Sequence, residues 1–133
     1  MAATTGGHHI AFTVTDVQRS AAWYSDLLGM QQVMEHKDDE VSAIVLADPA
    51  SGWVVGLRQY LDKPHDGFDE FHTGLDHFAF GVSSRAELDA WVPELERRGI
   101  TFTPPADTPI GTVIVFRDPD NIQLEFWLPM GAS

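Results

Sequence analysis

The sequence predicts an α+β fold of two tandem βαβββ modules, and three observations carry that expectation. At an offset of 68 residues His9-Ile10-Ala11-Phe12-Thr13-Val14 lies over His77-Phe78-Ala79-Phe80-Gly81-Val82, Ala22-Trp23 over Ala90-Trp91, and Leu27 over Leu95. Such self-similarity marks duplicated architecture. Each copy opens on alternating large apolar residues, Ile10, Phe12, Val14 and Phe78, Phe80, Val82, the period of a strand with one face on a core. Later in each copy Ile44-Val45 and Asp48-Pro49 return as Ile114-Val115 and Asp118-Pro119 at an offset of 70, so the drift marks inserted loop residues.

A helix is expected after each opening strand. In the first copy Thr15-Asp16-Val17-Gln18 provides a capping start ahead of Trp23, Tyr24 and Leu27. In the second, Ser84-Arg85-Ala86-Glu87 has capping-box spacing, and Leu88, Trp91, Val92 and Leu95 follow at i, i+3, i+4, i+7. Gly29 and Gly99 are the expected stops. Three short strands should complete each module, near residues 31–36, 41–47 and 53–60, then 101–103, 112–117 and 122–128. Asp118-Pro119-Asp120-Asn121 reads as the turn between the last two. Module one thus covers about 7–60 and module two about 75–129, and the linker 61–74 holds Pro64, Gly67 and four acidic residues. Together they read as one domain, because 133 residues lie within the usual size of about 100–150.

Eight Lys and Arg against twenty Asp and Glu give a net charge of −12. Nucleic acids and anionic membranes are bound by clustered cations, so neither is expected as a partner. Cysteine is absent, which rules out disulfides and thiolate metal sites. No apolar stretch approaches the roughly 18 residues of a membrane span, and Met1-Ala2-Ala3-Thr4-Thr5 lacks the basic start of a secretion signal. The expectation is a cytoplasmic protein that meets a small-molecule ligand, a metal ion or a second copy of itself.

His9 and His77 hold the same place in the two copies, on the strand face opposite the core residues. Their neighbours there, Ala11, Thr13, Ala79 and Gly81, are small, as in the floor of a cavity. In the last strand Ile122, Leu124 and Phe126 alternate with Gln123, Glu125 and Trp127, which puts Glu125 on the non-core face. Taken singly, a strand histidine is ordinarily a solvated or satisfied residue and a strand-end glutamate a surface one. Two repeat-equivalent histidines with an inward glutamate instead make a facial set of two imidazoles and a carboxylate, suited to iron, manganese, zinc, cobalt or nickel.

The strings His9-Ile10-Ala11-Phe12, Gly74-Leu75-Asp76-His77-Phe78-Ala79-Phe80 and Asp118-Pro119-Asp120-Asn121-Ile122-Gln123-Leu124-Glu125 resemble those of the vicinal oxygen chelate superfamily. This is the group of glyoxalases, bleomycin-resistance proteins and type I extradiol dioxygenases, and the resemblance covers nearly the whole chain. It implies paired βαβββ modules forming a cupped mixed sheet around a divalent metal ion, often in a homodimer. His9, His77 and Glu125 fall where the family's ligands lie.

There is one departure. Members resembling glyoxalase I or the acyl-CoA epimerases carry a further Glu or Gln in the last strand of the first module, where this chain has Trp53-Val54-Val55-Gly56-Leu57-Arg58-Gln59-Tyr60. Gly56, or Val55 if the turn holds no insertion, stands at that place, and neither moves a proton. Gln59 is out of register by strand alternation. Three ligands instead resemble the extradiol dioxygenases and the fosfomycin-modifying thiol transferases. The latter need a cationic phosphonate pocket, and only Arg117 adjoins the Asp-Pro turn, with no basic cluster.

Tyr60, His72 and His65 are candidate acid/base groups near the site, against the plainer reading as loop residues. Arg58 is a candidate partner for an anionic substrate, with a solvated edge arginine as the alternative. Trp53, Trp127, Phe68 and Phe71 are candidate stacking walls, with core packing as the alternative. The function expected is a metal-dependent enzyme on a small oxygenated substrate that chelates the metal, dioxygenase- or lyase-like and not glyoxalase I itself. The metal would act as a Lewis acid on an enolate- or catecholate-like anion, or activate dioxygen if it is iron. The alternative is a homodimeric protein of the bleomycin-resistance type, sequestering a cationic drug or metabolite in an acidic cleft.

Overall fold

The computed structural model describes residues 1–63 and 66–132, which form two compact units dividing between Asp66 and Gly67. In the first, strand β1 (His9–Thr13) leads into helix α1 (Val17–Leu28), then β2 (Gln31–Lys37), β3 (Val41–Ala47) and β4 (Val54–Tyr60). Its sheet runs β1-β4-β3-β2, with β1 parallel to β4 and the other pairs antiparallel. The second has β5 (Phe78–Gly81), α2 (Arg85–Arg97), β6 (Ala106–Thr108), β7 (Gly111–Arg117) and β8 (Gln123–Pro129) in the order β5-β8-β7-β6. Again the first strand is parallel to the last and the rest are antiparallel. The fold is βαβββ twice, each copy with its own four-stranded mixed sheet.

Local chemistry sets the helix ends. Asp16 caps α1 by accepting from the Arg19 amide at 3.0 Å, and the left-handed Gly29 (φ 67°) ends it. A further donor at this end, the Val17 amide, reaches Gln59 Oε1 on β4 at 3.0 Å. Gln59 therefore serves the helix side of the sheet, as its strand parity requires. In α2 the Ser84 hydroxyl accepts from the Glu87 amide at 3.1 Å. Glu87 returns to the amide and hydroxyl of Ser83, at 2.9 and 2.6 Å, so the expected box closes one residue early.

Each helix covers one face of its sheet. α1 buries Val17, Ala21, Tyr24 and Leu27, and β1, β3 and β4 bury Phe12, Ile44, Leu46, Val55 and Leu57. In the second unit Leu88, Leu95, Ile114, Phe116, Leu124, Phe126 and Leu128 are buried. The Trp91 and Phe116 rings flank Phe126, with centroids at 4.1 and 4.6 Å.

The strand expected at 101–103 is reduced to a single bridge, Phe102 to Phe116. Pro104 and Pro105 follow it, and a residue without an N–H cannot continue a ladder. Pairing with β7 resumes at Ala106, which is where β6 lies. Residues 67–74 are more than a spacer, since the Phe68 amide donates to Asp120 O at 2.8 Å and Asn121 Nδ2 to Phe68 O at 3.0 Å. No helix among the described residues is long and apolar enough to cross a membrane.

Candidate functional site

Strand alternation turns one face of each sheet away from its helix. In the first unit that face carries His9, Ala11 and Thr13 of β1, in register with Val54, Gly56 and Arg58 of β4. In the second, Ala79 and Gly81 of β5 are in register with Glu125 and Trp127 of β8. The same face takes Val113, Val115 and Arg117 of β7, opposite Trp127, Glu125 and Gln123. Gly56 is thus the counterpart of Glu125, because Ala11 and Val45 flank it as Ala79 and Val115 flank Glu125. Space beside the glycine is tight, since a Cβ there would lie 3.2 Å from the Ala11 Cβ.

His77, one residue before β5, and Glu125 meet with Nε2 and Oε2 3.4 Å apart. Glu125 is the more enclosed, at 14 % side-chain exposure against 41 % for His77. Burial pushes the Glu125 carboxyl above its ordinary value, His77 pulls it back and Asp76 pushes it further up. Asp76 Oδ1 stands 2.6 Å from His77 Nδ1. A carboxylate can only accept, so this contact assigns the proton to Nδ1. In a neutral ring Nε2 then presents a lone pair to a carboxylate oxygen, and a cation shared between them relieves the opposition. Nitrogen and oxygen donors about 2.0–2.2 Å from one ion stand about 3–3.5 Å apart, so the observed spacing fits.

The first unit offers a parallel. His9 is exposed, and its Nδ1 lies 2.8 Å from Nδ1 of the preceding residue, His8. In both units the residue before the histidine contacts Nδ1. Among the described residues no group of three or more His, Asp or Glu side chains is gathered to hold an ion. His77 and Glu125 are the part of the expected donor set that the second unit brings together alone.

Asp76, Gln123 and Glu70, none of them a candidate in the sequence, join this site together with Arg117. Gln123 Nε2 donates to the carbonyl and to Oδ1 of Asp76, both at 3.1 Å, while its Oε1 accepts from Arg117 Nη2 at 3.1 Å. Arg117 in turn makes a two-pronged ion pair with Glu70, at 3.0 and 2.8 Å, and donates to Asn121 O. The guanidinium holds the Glu70 carboxyl down at about 2. Gln123 shares the parity of Glu125, and Asp76 adjoins His77, so both left a signal in the sequence. Glu70, in the stretch expected to be a linker, left none.

The remaining expected residues are dispersed. Arg58 and Tyr60 share the His9 face, with Arg58 Nε donating to the Tyr60 hydroxyl at 3.3 Å. Arg58 stands opposite Thr13, four residues along β1 from His9, or about 13 Å at strand rise. Trp127 lies over the Gly111 backbone, where a Cβ would come 2.9 Å from its ring. Trp53 is half-buried just before β4, with the parity of the core residues Val55 and Leu57. His72 is 83 % exposed in a bend, 3.8 Å from Asp69. Phe71 is also exposed, Phe68 is half-buried, and His65 lies outside the described residues.

Two βαβββ units, each with a helix on one sheet face and a histidine on the other, define a class of duplicated α+β proteins. The chain belongs to the Glyoxalase/Bleomycin resistance protein/Dioxygenase superfamily, whose family model matches residues 6–126. It is similar to the uncharacterized protein YwkD of Bacillus subtilis (strain 168), 33 % identical over 123 residues that cover 90 % of this chain and 94 % of that one. A glyoxylase/bleomycin resistance protein/dioxygenase domain from Frankia sp. EAN1pec superposes with a TM-score of 0.88 at 35 % identity, over 96 % of this chain and 99 % of that one. The fold is shared with the genomically encoded fosfomycin resistance protein FosX of Listeria monocytogenes, solved with Mn(II) and sulfate, at a TM-score of 0.74 and 17 % identity over 97 % and 96 % of the two chains.

Proposed function

We propose that this chain is a divalent-metal-dependent enzyme acting on a small oxygenated substrate that chelates the metal, with His9, His77 and Glu125 as protein donors. The observation that carries the proposal is the His77–Glu125 pair, two donor atoms 3.4 Å apart with the distal imidazole nitrogen tied to a carboxylate. When bound, the metal would supply Lewis-acid stabilisation of a substrate oxyanion. Manganese is the first ion to try, since the FosX relative was solved with Mn(II).

Gly56 favours a dioxygenase- or lyase-like reaction over the proton shift of glyoxalase I, for it leaves no base at the place matching Glu125. A phosphonate substrate is disfavoured because Glu70 already neutralises Arg117. Arg58 and Tyr60 remain candidates for contact with an anionic or hydroxylated end of the substrate, and Trp127 for stacking. A homodimer, proposed from the family, is checked by the mass of the protein in solution. Turnover of catechol-like or vicinal-diol substrates by Mn(II)- or Fe(II)-loaded protein, lost with chelator and in His77→Ala, is the expected result. Equal turnover with and without chelator would refute it.

A second reading is sequestration of a cationic drug or metabolite without chemistry, and the net charge of −12 supports it, since an acidic cleft attracts cations. Calorimetry with cationic antibiotics, with and without chelator, separates the two. Tight binding indifferent to chelator supports sequestration, and no binding removes it.

A further inference from the structure

We propose that Asp76 is a positioning residue for His77, held in place by Gln123 through a relay that ends on Arg117 and Glu70. The relay is matched donor to acceptor at every step: Glu70 accepts from Arg117, Arg117 donates to Gln123 Oε1, Gln123 Nε2 donates to Asp76 Oδ1, and that oxygen accepts from His77 Nδ1. The amide of Gln123 is oriented from both ends, because its oxygen faces a cation and its nitrogen a carboxylate. The consequence falls on His77. With Nδ1 obliged to donate, the neutral ring leaves Nε2 bare and facing Glu125, whereas a free neutral imidazole prefers to carry its proton on Nε2.

Among the described residues, the first unit shows no such relay at His9. His9 has a second imidazole, His8, at the corresponding contact, and either ring can donate in that pair. The two repeat-equivalent histidines are therefore unequal, with His77 fixed in one tautomer and His9 not. The effect on metal affinity rests on the proposed metal-site reading; the effect on the tautomer does not.

Two variants test the relay without threatening the core. Asp76 is 68 % exposed, so Asp76→Ala removes the acceptor and little packing. Gln123→Glu keeps size and the bond to Arg117 but replaces the donor facing Asp76 with a second carboxylate. The readout is the nitrogen chemical shifts of the His77 ring in metal-free protein, at a pH well above the ordinary imidazole range, alongside Mn(II) titration. Wild type is expected to carry the His77 proton on Nδ1, and both variants to move population to Nε2–H and weaken Mn(II) binding about 10–100-fold. His8→Ala should leave the His77 shifts unchanged. A wild-type protein that binds no Mn(II) yet shows the tautomer shift in Asp76→Ala upholds the positioning role and defeats the metal reading. An Nε2–H tautomer in the wild type, or shifts unaltered in Asp76→Ala, overturns the proposal.

Discussion

Alanine placed at two buried strand glycines, Gly56 and Gly111, should have very different costs. At Gly56 the added Cβ meets the Ala11 Cβ at 3.2 Å, the Ala11 Cα at 3.7 Å and Ile10 O at 3.8 Å. Ala11 lies on β1, an edge strand of its sheet, which can yield a few tenths of an ångström. Overpacking costs about 1–3 kcal/mol, and relieving glycine's strand entropy returns about 0.5–1 kcal/mol, so Gly56→Ala should lose about 1 kcal/mol or less. At Gly111 the Cβ would stand 2.9 Å from the Trp127 ring, with the Leu128 carbonyl of the paired strand nearer still. Backbone cannot rotate away, so the expected loss is about 3 kcal/mol or more. Urea unfolding with a common slope should separate the midpoints, and the melting temperatures should differ by about 3–5 °C per kcal/mol. Equal stabilities, or Gly56→Ala as the weaker protein, would refute the close-approach reasoning.

Phe126→Ala removes a ring enclosed between Trp91 and Phe116 and should cost about 3–5 kcal/mol in urea unfolding, while Trp91 loses its stacking partner and shifts its fluorescence. The Glu70–Arg117 pair gives a signed pH dependence. The Glu70 carboxyl is depressed from 4.5 to about 2, so its contribution is fully present above pH 4.5 and is lost as pH falls towards 2. Glu70→Gln should flatten the acid limb of the stability profile in that window, and an unchanged limb would count against the pair.

Duplication made the fold legible. Strings as short as the hexapeptides at His9 and His77 fixed two strand starts and the parity of their faces. The Asp-Pro repeat marked equivalent turns, and it left Gly56 or Val55 as the counterpart of Glu125, a choice that the strand register makes for Gly56. The second strand of the second module was misplaced because β-propensity at 101–103 ignores the two prolines that follow. Of the candidate residues, alternation gave the strand faces of His9 and Glu125. The relay through Gln123, Arg117 and Glu70 did not follow from it, because 47 residues separate Glu70 from Arg117 and nothing local couples them. For His72 and Trp53 residue type alone suggested chemistry, and the structure adds that one side chain is solvated and the other has core parity.

The measurement closest to the central claim is the metal content of the protein after equilibration with Mn(II), Fe(II), Zn(II) and Ni(II) in turn, followed by exhaustive dialysis. The account predicts about one tightly held ion per chain for at least one of these metals, lost in His77→Ala and in Glu125→Gln. Protein that returns free of all four metals, or variants that retain the ion as the wild type does, would contradict it.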